Sequence, residues 1–248
     1  MSGANLLNGF VYEACLQARI RRPDIPVRAV EFYGQCGEDL IVQALLEARA
    51  LSTGVTLADQ KYFEIGGNHP FATSSTFLLH RRLGMTGVIV EANPELISDL
   101  EKGRPNDTIV HGAVQTRALE TVKLSVSNQN ELSSIDRDFV LQWNDGEVGE
   151  ARWIDVPALR INDLVREHFA DKTLAYMAID VEGLDLDLLR DFDFEATRPW
   201  LVQAEPSEHH LPKNSERINE HMQSVGYGLI AKTDVNLIFC DQQAARTA

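Results

Sequence analysis

The sequence predicts an α/β fold built on a mostly parallel sheet, and three observations support that prediction. From Lys61 onward, short apolar runs alternate with amphipathic segments. Strands that alternate with helices need crossover connections, and such connections join parallel strands. The last two apolar runs, 227–233 and 235–241, are separated by almost nothing, which predicts a closing antiparallel hairpin around Thr233 and Asp234.

Each element follows from local pattern and from its start and stop signals. Helices are expected where apolar residues recur every three or four positions, with Pro94 in one first turn and the Ser/Thr cluster 73–75 before another. The expected helices are 1–22, 37–51, 74–82, 93–103, 161–169, 184–192 and 215–226. The expected strands are 62–66, 87–92, 108–114, 120–128, 152–160, 174–180 and 199–205, followed by the hairpin.

A single domain over residues 1–248 is predicted. Residues 1–56 are expected to be a helical N-terminal extension or lid, and 57–248 the α/β core. Residues 129–151 are polar and interrupt the alternation, so they are expected to be an inserted excursion. The excursion would form the substrate pocket together with the extension. Its aromatic side chains would stack on a sugar or simply pack the insertion onto the domain (Phe139, Trp143 and, just beyond it, Trp153).

Composition excludes several classes of protein. The formal net charge is −14, and basic residues occur only in short clusters, so nucleic acid is not an expected partner. Three scattered cysteines argue against a disulfide framework and a structural zinc site. No run of about 18 apolar residues is present to span a membrane, and the first residues do not resemble a secretory signal. A cytoplasmic protein is therefore expected, and a homo-oligomeric state stays open.

The segment 63–70, "FEIGGNHP", contains a glycine turn in the connection between the first strand and the helix that follows it. Gly66 and Gly67 would let backbone approach a ligand closely. His69 and Pro70 replace the later glycine of a dinucleotide loop, which disfavours a pyrophosphate cradle and suits an adenosyl ligand without phosphates. The carboxylate of Glu64 would hold an ammonium group or order the loop. The alternative is a turn that only closes a βα unit.

A second acid ends the next strand, in "VIVEANP". Glu91 lies 27 residues after Glu64. An acid at this place in a doubly wound sheet hydrogen-bonds ribose hydroxyls. In "IVHGAV", Gly112 and Ala113 would form a wall beside an adenine, and His111 would be either a ligand contact or a strand-end histidine with a structural partner.

Two further strand ends carry the candidate catalytic residues. Asp180 closes the apolar run "MAID", Glu182 follows it, and Glu205 ends the next strand. Carboxylates at buried strand ends are costly unless they are paired or liganded. They are therefore candidates for catalysis or for a divalent cation, such as Mg²⁺, held by Asp180, Glu205 and either His209 or His210. The alternatives are acids that cap a helix and histidines that are merely solvated.

The sequence resembles the FkbM family of S-adenosylmethionine-dependent methyltransferases. The resemblance rests on "GEDLIV", on 62–100, on "RPNDTIVHGAV" and on 177–205, in that order. It implies a class I methyltransferase (Rossmann-like) fold with a seven-stranded, mostly parallel sheet and a final antiparallel hairpin. It also implies S-adenosylmethionine as cofactor and O-methylation of a sugar or natural product.

The resemblance further assigns roles to residues. Glu64, Gly66, Gly67 and Asn68 would form the first cofactor loop, Glu91 would hold the ribose, and Ala92 and Asn93 would flank the adenine. Asp180 and Glu182 would lie at the methyl-transfer end. The sequence departs from the family where Glu64 replaces a more usual Asp, at His69-Pro70, and at 74–76, where "SST" stands for an expected Ser-Asn-Thr.

The expected reaction is an in-line displacement in which the protein aligns the reactants and a base takes the hydroxyl proton. Asp180, Glu205, a histidine or a bound metal could supply that base. Three alternatives stay open: N- or C-methylation, a non-catalytic scaffold with this fold, and an NAD(P)-linked oxidoreductase. The last lacks its glycine pattern and a Tyr-xxx-Lys motif. The methyl acceptor, a glycan or small-molecule hydroxyl in this interpretation, cannot be identified from sequence.

Overall fold

The computed structural model describes residues 31–126 and 152–245, except residues 172, 182 and 210. The helix expected over 1–22, the excursion 129–151 with Phe139 and Trp143, and the candidate residues Glu182 and His210 therefore lie outside the described residues. Within the described part, no helix is both long enough and apolar enough to cross a membrane.

A seven-stranded sheet forms the centre of the molecule. Its strand order is β3-β2-β1-β7-β8-β10-β9, in which β10 runs antiparallel to its neighbours β8 and β9. The other pairs are parallel. This order and the closing hairpin confirm the predicted class I methyltransferase fold. The strands are β1 Lys61–Ile65, β2 Thr86–Glu91, β3 Thr108–His111, β7 Leu174–Ile179, β8 Leu201–Ala204, β9 Tyr227–Lys232 and β10 Leu237–Asp241.

Helices cover both faces of this sheet. They are α1 Glu38–Thr53, α2 Phe77–Leu83, α3 Pro94–Gly103, α4 Ile161–His168, α5 Asp185–Asp191, α6 Asn214–Ser224 and α7 Gln242–Ala245, with a 3₁₀ turn at Leu57–Asp59. On one face, apolar side chains of β1, β2 and β7 pack with those of α4, α5 and α6. On the other face, the alternate side chains of the same strands pack with those of α1, α2 and α3.

Helix α1 belongs to this layered core. Val42 and Leu46 are fully buried against Tyr62, Tyr176 and Ile238 of the sheet. The predicted boundary at 56/57 assigned α1 to an extension or lid. The amphipathic pattern of α1 correctly predicted a helix. However, the apolar face of this helix covers the central strands of the sheet and removes their apolar surface from water.

A small second sheet adjoins the first, with the order β4-β6-β5. It comprises β4 Ala113–Gln115, β5 Thr121–Val126 and β6 Arg152–Arg160, and β5 and β6 are antiparallel. The single strand expected over 108–114 is broken at Gly112, whose φ is 155°. A Cβ atom on Gly112 would lie 2.6 Å from Leu159 Cδ1, so this glycine allows the chain to pass from one sheet to the other.

The parallel strands end level with one another. Ile65 is the register partner of both Val90 and Ile179, and Ile179 is the partner of Ala204. The residues that follow these positions therefore meet at the carboxyl edge of the sheet, which is where open α/β sheets bind ligands.

Candidate active site

The glycine turn after β1 lies against the end of β7. The amides of Gly66 and Gly67 both donate to Val90 O, at 3.0 and 3.1 Å, and Asp180 N donates to Ile65 O at 2.9 Å. Gly66 has φ 95°, and a Cβ atom built on it would lie 1.9 Å from Asp180 O. The turn is therefore tight on both sides, and only glycine fits at position 66.

The Glu64 carboxylate orders the loop that follows this turn. It is buried, and its Oε1 accepts hydrogen bonds from Ser75 N at 2.8 Å and from Ser74 Oγ at 3.2 Å. Its Oε2 accepts one from Thr76 Oγ1. Burial raises the pKa of Glu64, although the nearby Arg104 charge and these hydrogen bonds favour the ionised form. Glu64 was considered either to hold an ammonium group or to order the loop, and these contacts correspond to the second role.

The predicted Ser/Thr cap of α2 is made in an unexpected way. Thr76 occupies the N-cap position but its hydroxyl makes no capping bond. Instead Ser74 Oγ accepts from Phe77 N at 3.1 Å, while the Thr76 hydroxyl serves Glu64. The cluster therefore joins the start of α2 to the end of β1.

Arg104, which sequence analysis did not single out, is a buried cation at the centre of this loop. Its side chain has no exposed surface, and its guanidinium lies over the rings of Tyr62 and Phe77. It forms hydrogen bonds to both ends of the loop, to the first strand and to an acid just beyond α3. The acceptors are Pro70 O, Ser74 Oγ, Thr76 Oγ1, Tyr62 OH and Asp107 Oδ2. An isolated arginine after a helix gives no sign in sequence that it will be buried.

Glu91 joins the two loops beside it. Its Oε2 accepts from Asn68 N at 2.8 Å, and its Oε1 accepts from Asn93 N at 2.6 Å. Burial raises the pKa of Glu91, and the two amide donors oppose that shift. Asn68 and Asn93, which belong to two different loops, are thus brought together around Glu91 at the sheet edge.

Asn93 contributes an unused donor at the same point. Its Oδ1 caps α3 by accepting from Glu95 N at 3.1 Å. Its Nδ2 is buried and has no hydrogen-bond partner among the residues that the structure describes. Because a buried donor without a partner is costly, this amide is suited to an acceptor atom brought by a ligand.

Ala113, one of the two residues predicted to line an adenine, packs beside the loop after β2. Ala113 is buried in a cluster with Leu124, Val126 and Val156, against which Ala92 packs. The His111 ring nitrogen Nε2 lies 3.2 Å from Ala92 O. His111 therefore has a structural partner, which is one of the two alternatives considered for it.

Asp180 and Glu205 are brought together, as predicted from the two strand ends. Their carboxyl groups lie next to each other, within reach of a hydrogen bond that one shared proton would make. Burial raises the pKa of Asp180, and the charge of Glu38 raises it further, whereas the contact with Glu205 lowers it. Two carboxyls this close are suited to share one proton.

Two acids of the "GED" motif approach this pair from α1. Glu38 is buried and accepts from Gln35 N at 3.0 Å, from Cys36 N at 2.7 Å and from Asn236 Nδ2 at 3.2 Å. Asp39, also buried, accepts from Tyr33 N at 2.6 Å. The pattern predicted only the first turn of a helix. In the structure these acids also hold the backbone amides of residues 33–36 just before the helix.

The candidate metal site is not formed by the described residues. No group of three or more His, Cys, Asp or Glu side chains among them could hold a metal ion. Asp180 and Glu205 meet, but His209 lies on an exposed turn and does not complete a ligand set with them. His210, the alternative ligand, lies outside the described residues, so a metal site that includes it stays a prediction.

The chain is similar to several solved methyltransferase structures. None of the curated proteins compared matches the chain. Among solved structures, the chain is similar to a Staphylococcus aureus protein assigned as a caffeoyl-CoA O-methyltransferase, with 11% identity, TM-score 0.44 and 95% and 99% of the two chains covered. It is also similar to an O-methyltransferase from Bacillus cereus in complex with SAH, with 12% identity, TM-score 0.39 and coverage of 92% and 89%. A Pyrococcus furiosus methyltransferase matches at 11% identity, TM-score 0.36 and coverage of 93% and 98%.

The strand order and the ligand-facing edge define a protein with the class I methyltransferase fold. The family model described as the methyltransferase FkbM domain matches residues 64–229, which is more than half of the chain. The chain belongs to the FkbM methyltransferase family.

Proposed function

We propose that this protein is an S-adenosylmethionine-dependent methyltransferase that transfers the methyl group to a hydroxyl oxygen, on a sugar or another natural product. The observation that carries the proposal is the hydrogen-bonded Asp180–Glu205 pair. It stands at the same sheet edge as the glycine turn and Glu91. A proton acceptor therefore lies beside the place where this fold binds its cofactor.

The residues at the edge fit an adenosyl ligand. Glu91 and the buried, unpartnered Asn93 amide offer an acceptor and a donor side by side, as a ribose and an adenine ring require. Gly66 and Gly67 leave the edge free of Cβ atoms. When bound, S-adenosylmethionine supplies an electrophilic methyl group on a sulfonium. The role of the chain at this end is to orient the ligand and to exclude water.

The Asp180–Glu205 pair is proposed to handle the proton. A hydroxyl group is a poor nucleophile until its proton is removed. The carboxylate oxygen of the pair would accept the hydroxyl proton, and a bound S-adenosylmethionine would supply the methyl group, with its sulfonium leaving as the thioether. Burial and the Glu38 charge, which raise the pKa of Asp180, make this carboxyl a better proton acceptor than an exposed aspartate.

The binding step can be tested without knowledge of the acceptor. Calorimetric titration with S-adenosylmethionine and with its demethylated product, and NAD as the control ligand, is expected to show binding of the two adenosyl compounds only. Binding of NAD alone would favour an oxidoreductase. Absence of binding by all three would favour a non-catalytic scaffold.

The Asp180→Asn variant tests the chemical step. We expect affinity for S-adenosylmethionine to stay within about threefold, because Asp180 acts on the acceptor, and methyl transfer to fall by roughly 10²–10⁴-fold, the usual contribution of a general base. Transfer from methyl-labelled cofactor would be measured against a panel of methyl glycosides, polyols, phenols and amines. Undiminished transfer by the variant would exclude the proposed base. A preference for amines over hydroxyls would indicate N-methylation.

A further inference from the structure

Asp185 is a fully buried acid that touches the backbone of both strands that carry the reacting pair. It is the first residue of α5. Its Oδ1 accepts a hydrogen bond from Glu205 N at 2.9 Å, and its Oδ2 accepts a longer one from Val181 N at 3.4 Å. One carboxylate therefore bridges the residue after Asp180 and Glu205 itself.

The bridge lies where the parallel ladder stops. The last register pair of β7 and β8 is Ile179 with Ala204. Beyond it, Glu205 N makes one long hydrogen bond of 3.3 Å to Ile179 O and a shorter one, of 2.9 Å, to Asp185 Oδ1. Because a carboxylate has two oxygens a fixed distance apart, it can hold two backbone amides at a fixed separation.

We propose that Asp185 is a positioning residue that holds the ends of β7 and β8 so that the Asp180 and Glu205 carboxyls stay within hydrogen-bonding distance of each other. The proposal rests on the function assigned above to that pair. Asp185 itself reacts with nothing, since both of its oxygens are used by backbone amides.

Its burial argues against an ordinary helix-terminal acid. An acid that only complements a helix end can remain in water, as Asp187 of the same helix does, exposed and 3.7 Å from Arg190 Nη1. Asp185 has no exposed surface, and removing a carboxylate from water costs several kcal/mol in general. Burial and the Asp180 charge accordingly raise its pKa well above the ordinary value. Such a cost is offset here by the two strand-end amides that it holds.

The test measures the coupling between the two carboxyls by NMR, in protein with ¹³C-labelled carboxyl groups. Asp180→Asn is introduced into the native chain, into Asp185→Ala and into Asp187→Asn, and the resulting change in the Glu205 carboxyl signal is compared. We expect a clear change in the native and Asp187→Asn chains and its loss in Asp185→Ala. The Glu205 amide proton should also move upfield in Asp185→Ala, because it loses a charged acceptor.

The same change of the Glu205 signal in all three chains would overturn the proposal. If Asp185→Ala does not fold, Asp185→Asn decides, because its amide keeps one acceptor oxygen and cannot serve both backbone donors. In that variant a weakened response of the Glu205 signal supports the proposal, and an undiminished one contradicts it. Titration of the native chain with S-adenosylmethionine is recorded on the same samples. If the response of the Glu205 signal to Asp180→Asn depends on Asp185 but the native chain does not bind S-adenosylmethionine, the positioning role is upheld and the proposed function is refuted.

Discussion

At the scale of the residue, Glu91 is a carboxylate at this edge that binds backbone amides of two loops. Its two oxygens hold Asn68 N and Asn93 N, which belong to the loops after β1 and β2. The same oxygens are the expected partners of ribose hydroxyls. Glu91 therefore shapes the pocket before a ligand arrives, and a bound ribose would share or replace these amide donors.

The Glu91→Gln variant is expected to bind the demethylated cofactor product about tenfold or more weakly. A glutamine offers one acceptor oxygen for two amide donors, and hydrogen bonds to charged groups contribute roughly 1.5–3 kcal/mol. Calorimetric titration gives the affinity directly. Glu101→Gln, an exposed change in α3, is the matched control and should bind like the native chain. Equal affinities for the two variants would contradict the ribose role of Glu91.

The site residues that could be predicted from sequence each stand at the end of an apolar run, and the residues that were missed do not. Glu91, Asp180 and Glu205 each end an apolar run, so the parallel-sheet rule alone places them at one edge. Arg104 and Asp185 act through partners 20 or more residues away, such as Tyr62 and Glu205. Spacing along the chain carries no information on such contacts, and buried charges are rare enough that exposure is the natural expectation.

At the level of elements, the loop between β1 and α2 is held by side chains rather than by backbone ladders. Glu64 holds its second half from the strand, and Arg104 holds both halves from beyond α3. A loop of this kind is ordered only while its buried charges are paired. Removal of one charge leaves the other buried without a partner.

The Arg104→Met variant should therefore lose about 3–5 kcal/mol of unfolding free energy, the usual cost of breaking a buried ion pair. We further expect faster amide hydrogen exchange in residues 66–76 than in the rest of the sheet, because the loop loses its anchor. Urea unfolding and exchange mass spectrometry measure the two effects. Lys102→Met, which changes an exposed cation of α3, should be within about 0.5 kcal/mol of the native chain. A similar effect of both substitutions would show that Arg104 is not the anchor.

Two glycines with similar φ angles allow the cost of a left-handed backbone to be distinguished from the cost of a steric clash. Gly54 (φ 71°) ends α1 with nothing within 4 Å of the position that a Cβ atom would take, whereas Gly66 (φ 95°) would place that atom 1.9 Å from Asp180 O. Gly54→Ala should cost about 1 kcal/mol from its backbone angle alone. Gly66→Ala should cost roughly 1–3 kcal/mol more, as overpacking does. Thermal unfolding of both variants is the measurement, and equal losses would mean that β1 and β7 have room to separate.

The elements themselves were largely predictable, and the exceptions have physical causes. Strands and helices follow from hydrophobic period, so each element expected within the described residues is present to within a few residues. The break at Gly112 depends on Leu159 and Pro157, which come close only in the folded chain. The place of α1 in the core also depends on the sheet that it covers, since an amphipathic helix does not specify its partner.

At the scale of the whole molecule, several acids are buried in a chain with a formal net charge of −14. Burial is the leading cause that raises their pKa values, and five of them are affected: Asp39, Glu64, Glu91, Asp180 and Asp185. The folded chain therefore holds more protons than the unfolded chain at pH values just above the ordinary carboxyl range. Asp171 and Glu208, whose pKa values are lowered, act in the opposite direction only at more acidic pH.

The sign of the pH dependence follows from these raised pKa values. A carboxyl with a raised pKa in the folded state contributes stability below its unfolded pKa, near 4, and loses that contribution as the pH rises through the folded value. The free energy of unfolding should consequently decrease as the pH rises from about 4 up to and through the raised folded pKa values, by about 1.4 kcal/mol for every tenfold difference in proton affinity between the folded and unfolded states. Urea unfolding across this range tests the prediction. Asp185→Asn should show a shallower decrease because one of the titrating groups is gone, whereas Asp187→Asn should follow the native curve. Stability that rises with pH over this interval would contradict the prediction that burial raises the pKa values of these acids in the folded chain.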